Sequence, residues 1–302
     1  MITADHLTKK YRKKVAVDDV SFVIETGKVT GFLGPNGAGK STTMRLMLGL
    51  DAGQGNTTYD GKKLSSYAKP SEIVGILLEA KAFHPTRTAR SHLKVLAAAG
   101  SIPDSRVDEV LDIVGLKEVG KKRPGKFSLG MSQRLGIAAA LLGKPKYLML
   151  DEPANGLDPE GIAWLRQFIK DYADAGNAVF VSSHLLSEMS QMADNLVVIG
   201  QGKLIASTTV DALVKGSGHS GVFVRTLRRT ELELGLKNAG YKFVKQGQGL
   251  NVTGVKTDDV GKLAFKVGVP LLELTQQTAS LEQAFLELTA DSEEYKAQGG
   301  EK

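Results

Sequence analysis

The chain has 302 residues, of which 42% are hydrophobic, and a formal net charge of +6. This length predicts roughly two domains, and the absence of cysteine excludes disulfides, thiolate catalysis and cysteine-ligated metals. Aromatic residues make up 6% of the chain and do not alternate with the basic clusters at residues 9–14 and 121–126, so we expect no binding to nucleic acid.

The first part of the chain is predicted to form strands and loops around one helix. In VSFVIETGKVTGFLG, residues 20–34, two apolar β-rich runs flank a turn at Gly27. STTMRLMLGL, after Lys40, is predicted to be an amphipathic helix that ends near Gly49. DAGQGNTTYDGKKL, residues 51–64, is typical of loops and a short hairpin.

The middle of the chain is predicted to be helical and then to alternate strand and helix. SHLKVLAAAG, RVDEVLDIVGL and MSQRLGIAAALLG carry apolar residues at helical spacing. The short apolar runs KYLMLDEP and NAVFVSSH flank a further helix, EGIAWLRQFIKDYADAG. This order predicts a parallel sheet, whose ligands bind at the carboxyl ends of the strands. The chemistry is therefore expected at Gly34, at Asp151 and at residues 182–184.

The last part of the chain is predicted to be a separate small domain. KGSGHSG, residues 215–221, is typical of a linker, so we expect a first domain at residues 1–215 and a second at residues 221–289. The second domain shows a β-α-β-β-α-β order and then a helix, and capping boxes are predicted at Thr230 and at Ser280. Residues 290–302 are predicted to be disordered.

A glycine-rich segment with one lysine, GPNGAGKS at residues 34–41, follows the second apolar run. It matches the phosphate-binding pattern GxxxxGK[ST]; the alternative is a glycine-rich turn that binds nothing. The glycines allow successive N–H groups to form an anion site at the start of a helix. Lys40 then reaches the β- and γ-phosphates of ATP, and the Ser41 hydroxyl can ligate Mg²⁺. The predicted nucleotide-binding residues of this loop are Gly34, Pro35, Asn36, Gly37, Ala38, Gly39, Lys40, Ser41 and Thr42.

Two carboxylates, Asp151 and Glu152, follow the apolar run KYLML. In isolation they are two charges where a strand leaves the core. Beside the phosphate loop, Asp151 can hold the Mg²⁺ that Ser41 ligates, and Glu152 can orient and polarise the water that attacks the γ-phosphate. His184 is placed to contact the same phosphate and water, although a lone histidine is more often a surface or capping residue.

These motifs, in this order, resemble the ATP-binding cassette (ABC) subunits of ABC transporters over roughly residues 1–215. FSLGMSQR, residues 127–134, resembles the family signature LSGGQ, with Ser128 and Gly130 at its serine and second glycine. It departs from the signature at Leu129, which replaces the first glycine, and at Met131, which replaces the glutamine. A capped helix start is the alternative for Ser128. NGLD, which ends at Asp158, resembles the D-loop, and His184 matches the switch histidine.

The resemblance implies roles for three more residues. Tyr11 matches the aromatic residue that stacks on adenine, and Val17 is expected to pack beside it; a half-exposed surface aromatic is the alternative. Glu79, in GILLEAKAFHP, stands where the family usually has a glutamine near Mg²⁺ and the membrane partner. The implied metal ligands are therefore Ser41, Glu79 and Asp151, and the implied catalytic residues are Glu152 and His184.

The resemblance also implies a fold and partners. The fold is an α/β P-loop NTPase cassette with a mixed sheet, an antiparallel β subdomain and an α-helical subdomain. Two cassettes pair head to tail, so that ATP held by Lys40 of one is covered by Ser128 and Gly130 of the other. A separate transmembrane permease is expected to contact residues 83–93, because no apolar stretch of this chain approaches the roughly 20 residues of a membrane span. The chain is then expected on the cytoplasmic face of the membrane, and its N-terminal sequence predicts no signal peptide.

Within the family, LTQQTASLEQAFLELT resembles subunits that export drugs, antibiotics or ions. An importer cassette is an alternative, because the phosphate loop does not determine the direction of transport. Another is a soluble ABC-type ATPase that acts on DNA or ribosomes, against which the single phosphate loop and the lack of a long heptad repeat argue. A nucleotide-binding regulator without hydrolysis is disfavoured by Glu152 and His184.

Overall fold

The computed structural model describes residues 1–12, 14–217, 220–277 and 280–289. The tail predicted to be disordered, residues 290–302, lies outside this range, as do two residues of the predicted linker. The described chain forms two compact units, and the first extends from Met1 to Thr208. None of the described helices is both long enough and apolar enough to cross a bilayer.

The first unit contains two sheets and the helices that surround them. Its strands are β1 (Ile2–Tyr11), β2 (Lys14–Ile24), β3 (Lys28–Leu33), β4 (Gln54–Tyr59), β5 (Val74–Leu77), β6 (Tyr147–Leu150), β7 (Ala178–Ser182), β8 (Asn195–Gly200) and β9 (Lys203–Thr209). Its helices are α1 (Lys40–Met47), α2 (Pro70–Ile73), α3 (Ala89–Ala99), α4 (Ser105–Ile113), α5 (Leu129–Ala140), α6 (Pro159–Asp174) and α7 (Leu186–Met192), with short 3₁₀ helices at Leu64–Ser66 and Pro124–Lys126.

The larger sheet is mixed, as the resemblance implied, and has the strand order β5-β6-β7-β3-β8-β9. Strands β5, β6, β7, β3 and β8 pair in parallel, and β8 turns into β9 through two residues with positive φ, Gln201 and Gly202. The continuous apolar runs of β3, β6 and β7 are buried on both faces, as expected for central parallel strands. Their carboxyl ends therefore bring the segments after Leu33, Leu150 and Ser182 to one edge.

The smaller sheet is antiparallel, with the order β2-β1-β4. The short hairpin predicted within residues 51–64 is present as a tight turn, in which the backbones of Tyr59 and Lys62 exchange hydrogen bonds at 2.7 and 3.1 Å. The sequence did not predict that β4 also pairs with β1 at the start of the chain. The two sheets enclose a common core, in which the rings of Phe22, Phe32 and Phe180 lie 4.9 to 5.9 Å apart between centroids. The α-helical subdomain is made of α3, α4 and the start of α5, which pack on one another.

The second unit begins at Thr209 and contains α8 (Val210–Gly216), β10 (Gly221–Arg225), α9 (Arg229–Asn238), β11 (Lys242–Gln246), β12 (Gly249–Thr253), α10 (Thr257–Lys266), β13 (Glu273–Gln277) and α11 (Leu281–Thr289). Its antiparallel sheet has the order β11-β12-β10-β13, so each βαβ crossover is split by a strand of the other. Apolar residues of α9 and α10 form one core with the sheet. The second unit begins at Thr209, before the predicted linker at residues 215–221, because α8 packs against α11.

The two capping boxes predicted for the second unit have different outcomes. Ser280 and Gln283 exchange both hydrogen bonds of the motif, at 3.0 and 3.1 Å. The box at Thr230 is wrong, because α9 starts one residue earlier and the Glu233 carboxylate accepts from the Arg229 guanidinium instead.

Candidate active site

A cavity of about 300 Å³ opens at the edge where β3 and β6 end. It brings together most of the predicted phosphate loop and both predicted carboxylates. The residues that line it are Lys14, Ala16, Pro35, Asn36, Gly37, Gly39, Lys40, Ser41, Thr42, Asp151 and Glu152. Of the remaining loop residues, Gly34 and Ala38 lie behind this surface and pack on each other and on β8.

Three glycines of the loop are required by its geometry. Gly37 and Gly39 have φ angles of 80° and 103°, which residues with a Cβ rarely adopt. A Cβ on Gly34 would lie 2.4 Å from the carbonyl oxygen of Ile199, and one on Gly39 would lie 2.5 Å from that of Ala16. The loop therefore turns tightly between its neighbours and delivers the chain into α1 at Lys40.

Lys40 points back into the loop from the first residue of α1. Its side chain is buried, and its Nζ donates to the carbonyl oxygens of Gly34 at 2.7 Å and Pro35 at 3.4 Å. Burial lowers the pKa of Lys40, while the charges of Glu152 and Asp151 act in the opposite direction. The ammonium group thus lies at the wall of the cavity. A phosphate bound there would supply the negative charge that the neutral loop carbonyls lack.

Ser182 connects the two carboxylates that follow β6. Its Oγ donates to Oδ1 of Asp151 at 2.5 Å and accepts from the backbone N–H of Glu152 at 2.9 Å. Because Ser182 is the last residue of β7, the adjacent strand fixes both the side chain of Asp151 and the backbone of Glu152. Sequence reasoning placed Ser182 at this edge but gave it no part in orienting them.

Glu152 has a left-handed backbone, with φ at 48°. A residue with a Cβ adopts this region at some cost in strain, and such strain is concentrated at functional sites. The buried side chain of Gln133, on α5, donates from Nε2 to the carbonyl oxygens of Glu152 at 3.2 Å and Asn155 at 3.3 Å. Gln133 therefore holds the strained turn from the signature helix. Sequence reasoning missed this role, although the glutamine stands within FSLGMSQR.

The Glu152 carboxylate lies between the side chains of His184 and Lys40. Its Oε2 lies 2.7 Å from Nδ1 of His184 and 3.3 Å from the backbone nitrogen of His184, which donates to it. Its Oε1 lies 3.9 Å from Nζ of Lys40. The three residues come from the ends of three adjacent strands, so the geometry brings together the predicted phosphate ligand and both predicted catalytic residues.

Tyr11 and Val17 lie in different environments. Tyr11 is 47% exposed at the end of β1, and its hydroxyl donates to Oδ2 of Asp51 at 2.8 Å. Lys9 places its Nζ 4.8 Å from the centroid of the ring. The expectation that Val17 packs beside adenine is wrong, because Val17 is completely buried in the core; Ala16 lines the cavity instead.

The predicted signature and D-loop residues lie together but do not line this cavity. Ser128 caps α5 by accepting from the N–H of Met131 at 3.1 Å, and Asp158 caps α6 by accepting from the N–H of Gly161 at 2.8 Å. A Cβ on Gly130 would lie 3.1 Å from the carbonyl oxygen of Gly156. The two helix starts are therefore in close contact, and both N-termini lie outside the phosphate loop's own cavity.

Glu79 does not line the same cavity as the other predicted metal ligands. It lines a second cavity of about 300 Å³, together with Phe83, His92 and residues of α3 and α5. Ser41 and Asp151 line the phosphate-loop cavity. Within the described ranges, no group of three or more histidine and carboxylate side chains is arranged to hold a metal. A hydroxyl and one carboxylate are hard oxygen donors that suit Mg²⁺, which usually takes its remaining ligands from phosphates and water.

A glycine-cradled lysine, a hydroxyl at the start of a helix, and carboxylates at the end of a neighbouring parallel strand define a P-loop nucleoside triphosphatase. The small antiparallel sheet and the helical subdomain distinguish the cassette form of this class.

Comparisons with known proteins assign the chain to the same class. The family model described as "ABC transporter" matches residues 17–155, and one described as "Domain of unknown function (DUF8746)" matches residues 220–282. The bacitracin transport ATP-binding protein BcrA of Bacillus licheniformis is 36% identical, covering 95% of this chain and 97% of that protein. The lantibiotic transport ATP-binding protein SrtF of Streptococcus pyogenes is 37% identical, covering 70% of this chain and 92% of that protein.

Solved structures show the same fold. One described as an ATP-binding subunit of an ABC transporter matches with a TM-score of 0.62 and 26% identity, covering 70% of this chain and 91% of the other. The cassette MJ0796, solved as a dimer in a post-hydrolysis state with ADP and Pi, matches with a TM-score of 0.63 and 22% identity, covering 69% and 98%. The chain belongs to the family of ABC transporter ATP-binding proteins and is an ATPase. The resemblance drawn from its sequence motifs is confirmed.

Proposed function

We propose that this ATPase is the motor subunit of an exporter, and that it drives an antibiotic or other drug through a separate transmembrane permease. The observation that carries this proposal is the similarity to the bacitracin transport protein, which extends over 95% of the chain and therefore includes the second unit. The lantibiotic transport protein supports it over the cassette. Both relatives are named as transport proteins, and nothing in the part of the chain that the structure describes favours action on DNA or ribosomes.

In the proposed hydrolysis, ATP is the substrate and its phosphates lie in the cradle of the phosphate loop. Lys40 exchanges its contacts with the loop carbonyls for the β- and γ-phosphates. Ser41 and Asp151 would hold Mg²⁺, which neutralises charge on the phosphates. Glu152 accepts a hydrogen bond from the attacking water, and His184 fixes the orientation of that carboxylate. Tyr11 stacks on the adenine base.

The site is proposed to be completed by a second copy of the chain. Ser128, Gly130 and Asp158 do not line the cavity of their own phosphate loop, and the start of α5 presents its positive end outward. In a head-to-tail dimer that end would face the γ-phosphate bound by the other copy. The dimeric state of the related cassette supports this arrangement.

The permease is proposed to bind at the second cavity. Its wall includes Ile76, Phe83 and Leu96, and Ile76 and Leu96 are each 39% exposed, which is an apolar surface suited to a protein segment. The predicted contact segment, residues 83–93, forms part of this wall. Glu79 lies here as well. We therefore propose that Glu79 responds to permease binding, and that it approaches Mg²⁺ only when this segment closes on the phosphate-loop cavity. Such an arrangement places the chain peripherally on the cytoplasmic face of the membrane.

The proposal is tested by expressing the chain with its candidate permease in a bacitracin-sensitive host. The minimum inhibitory concentration of bacitracin and of other peptide antibiotics should rise with the wild-type pair. The increase should disappear when Glu152→Gln replaces the wild-type chain at equal abundance. Unchanged sensitivity to every antibiotic, despite ATPase activity in the co-purified pair, would contradict the export function while leaving the ATPase intact.

A further inference from the structure

The hydroxyl of Ser182 has a fixed direction in the site. Ser182 is the last residue of β7 and is completely buried. Its Oγ accepts from the backbone N–H of Glu152 at 2.9 Å and lies 2.5 Å from Oδ1 of Asp151. An ionised carboxylate only accepts hydrogen bonds, and a hydroxyl has a single proton to donate. The proton of Ser182 is therefore directed at Oδ1 of Asp151.

Asp151 is held by both strands that flank β6. Its backbone N–H donates to the carbonyl oxygen of Leu77, the last residue of β5, at 2.7 Å, and its side chain is held by Ser182 of β7. Asp151 lines the phosphate-loop cavity together with Ser41, whereas Ser182 does not. Ser182 can therefore act on a cation in this cavity only through Asp151.

The hydrogen bond from Ser182 makes the two carboxylate oxygens of Asp151 different. Oδ1 accepts from Ser182, whereas Oδ2 accepts no hydrogen bond from the part of the chain that the structure describes. A cation held by Asp151 would therefore meet one free oxygen rather than two. Mg²⁺ requires a strict octahedron of oxygens, whereas Ca²⁺ takes about six to eight and can use both oxygens of one carboxylate. A carboxylate with one oxygen already engaged therefore suits Mg²⁺ better than Ca²⁺.

We propose that Ser182 determines the metal specificity of the ATPase: by engaging Oδ1 of Asp151, it makes the site prefer Mg²⁺ to Ca²⁺. Ser182 is a positioning residue, because it acts through Asp151. The inference rests on the role proposed above for Asp151 as a ligand of Mg²⁺. Because Ser182 also holds the backbone of Glu152, its loss should affect turnover too. The affinity for nucleotide in the presence of each cation is therefore the measurement that isolates the role in metal specificity.

The test is isothermal titration calorimetry of the purified full chain with a non-hydrolysable β,γ-imido analogue of ATP. The titration is made with Mg²⁺, with Ca²⁺, and with EDTA and neither cation. Wild type should bind the analogue more tightly with Mg²⁺ than with Ca²⁺. Ser182→Ala should lose about tenfold in affinity with Mg²⁺ and about twofold or less with Ca²⁺, since removing the partner of a metal ligand weakens the site by about this amount. Affinity in EDTA should equal that of wild type, because the phosphate loop is unchanged.

The matched control is Ser66→Ala, which removes an exposed hydroxyl that donates to the carbonyl oxygen of Lys63. It should keep the wild-type affinity with both cations. Equal losses with Mg²⁺ and Ca²⁺ in Ser182→Ala, or a wild type without preference for Mg²⁺, would overturn the inference and leave the phosphate loop in place.

Two further variants cover the other ways in which the test can fail. If Ser182→Ala does not fold, Ser182→Cys carries the same test, because a thiol is a weaker donor and should lose a smaller part of the preference for Mg²⁺. A wild-type preference in the folded Ser182→Cys protein would then overturn the inference. Wild-type affinity with Mg²⁺ in Asp151→Asn would remove the proposed role of Asp151 as a metal ligand and, with it, this inference.

Discussion

Nδ1 of His184 lies 2.7 Å from Oε2 of Glu152, so the second residue after β7 and the second residue after β6 form one hydrogen-bonded pair. An ionised carboxylate only accepts hydrogen bonds, so Nδ1 of His184 is the donor in this contact. The other carboxylate oxygen lies 3.9 Å from Nζ of Lys40. The proposed base therefore also lies within ion-pair distance of the lysine of the phosphate loop.

Replacing Glu152 by glutamine keeps this geometry and removes the base. Glu152→Gln should bind ATP within about twofold of the wild-type affinity and lower kcat by about a hundredfold or more. With hydrolysis blocked, ATP should also shift the chain to a dimer in size-exclusion chromatography with light scattering. Glu118→Gln, an exposed carboxylate of the helical subdomain, is the control. Turnover above a tenth of the wild-type value would remove Glu152 from its role as base.

Gln133 is predicted to support both the fold and the turnover. Gln133→Leu leaves the carbonyl oxygens of Glu152 and Asn155 without this donor, which should lower the free energy of unfolding by about 1–3 kcal/mol. The left-handed backbone of Glu152 also loses its support, so kcat should fall about tenfold with little change in the KM for ATP. Urea denaturation and steady-state kinetics measure the two effects. Reduced stability with wild-type kcat would make Gln133 a purely structural residue.

Much of the site could be predicted because its signals are local. The phosphate loop is defined by glycines and a lysine at fixed spacing, and β3 and β6 are continuous apolar runs that end beside it. Non-local pairing could not be predicted in the same way. The register of β1 with β2 is interrupted by irregularities, and this decides that Ala16, not Val17, faces the cavity. The contact of Gln133 with Glu152 joins two separate elements, and no local pattern encodes it.

Tyr11 is predicted to contribute the stacking energy of the adenine base. Tyr11→Ala should weaken ATP affinity about tenfold, because base–aromatic stacking is worth ~1–3 kcal/mol. Tyr11→Phe keeps the ring and loses only the hydrogen bond to Asp51, so its affinity should fall about twofold or less. Titration with a fluorescent ATP analogue measures both variants. Equal affinities in wild type and Tyr11→Ala would show that the ring is a surface side chain.

The buried Glu188 should give the chain a pH-dependent stability. Burial raises the pKa of Glu188 above its ordinary value of 4.5, so the folded state keeps this proton to higher pH than the unfolded chain. Between the ordinary and the raised pKa, the folded state binds more protons, and the free energy of unfolding falls as pH rises. Urea denaturation over a pH series should therefore show a steeper fall for the wild type than for Glu188→Gln. Parallel curves for the two proteins would contradict this assignment.

The central claim is that the backbone amides around Lys40 bind the phosphates of ATP, and isothermal titration calorimetry of the purified chain tests it most directly. Wild type should bind ATP in a Mg²⁺-dependent reaction with one site per chain, and Lys40→Ala should lose at least about tenfold in affinity. Lys69→Ala, at an exposed lysine that pairs with Glu72, should bind ATP as wild type does. Affinity in Lys40→Ala equal to that of wild type, or no ATP binding by the folded wild-type chain, would contradict the account.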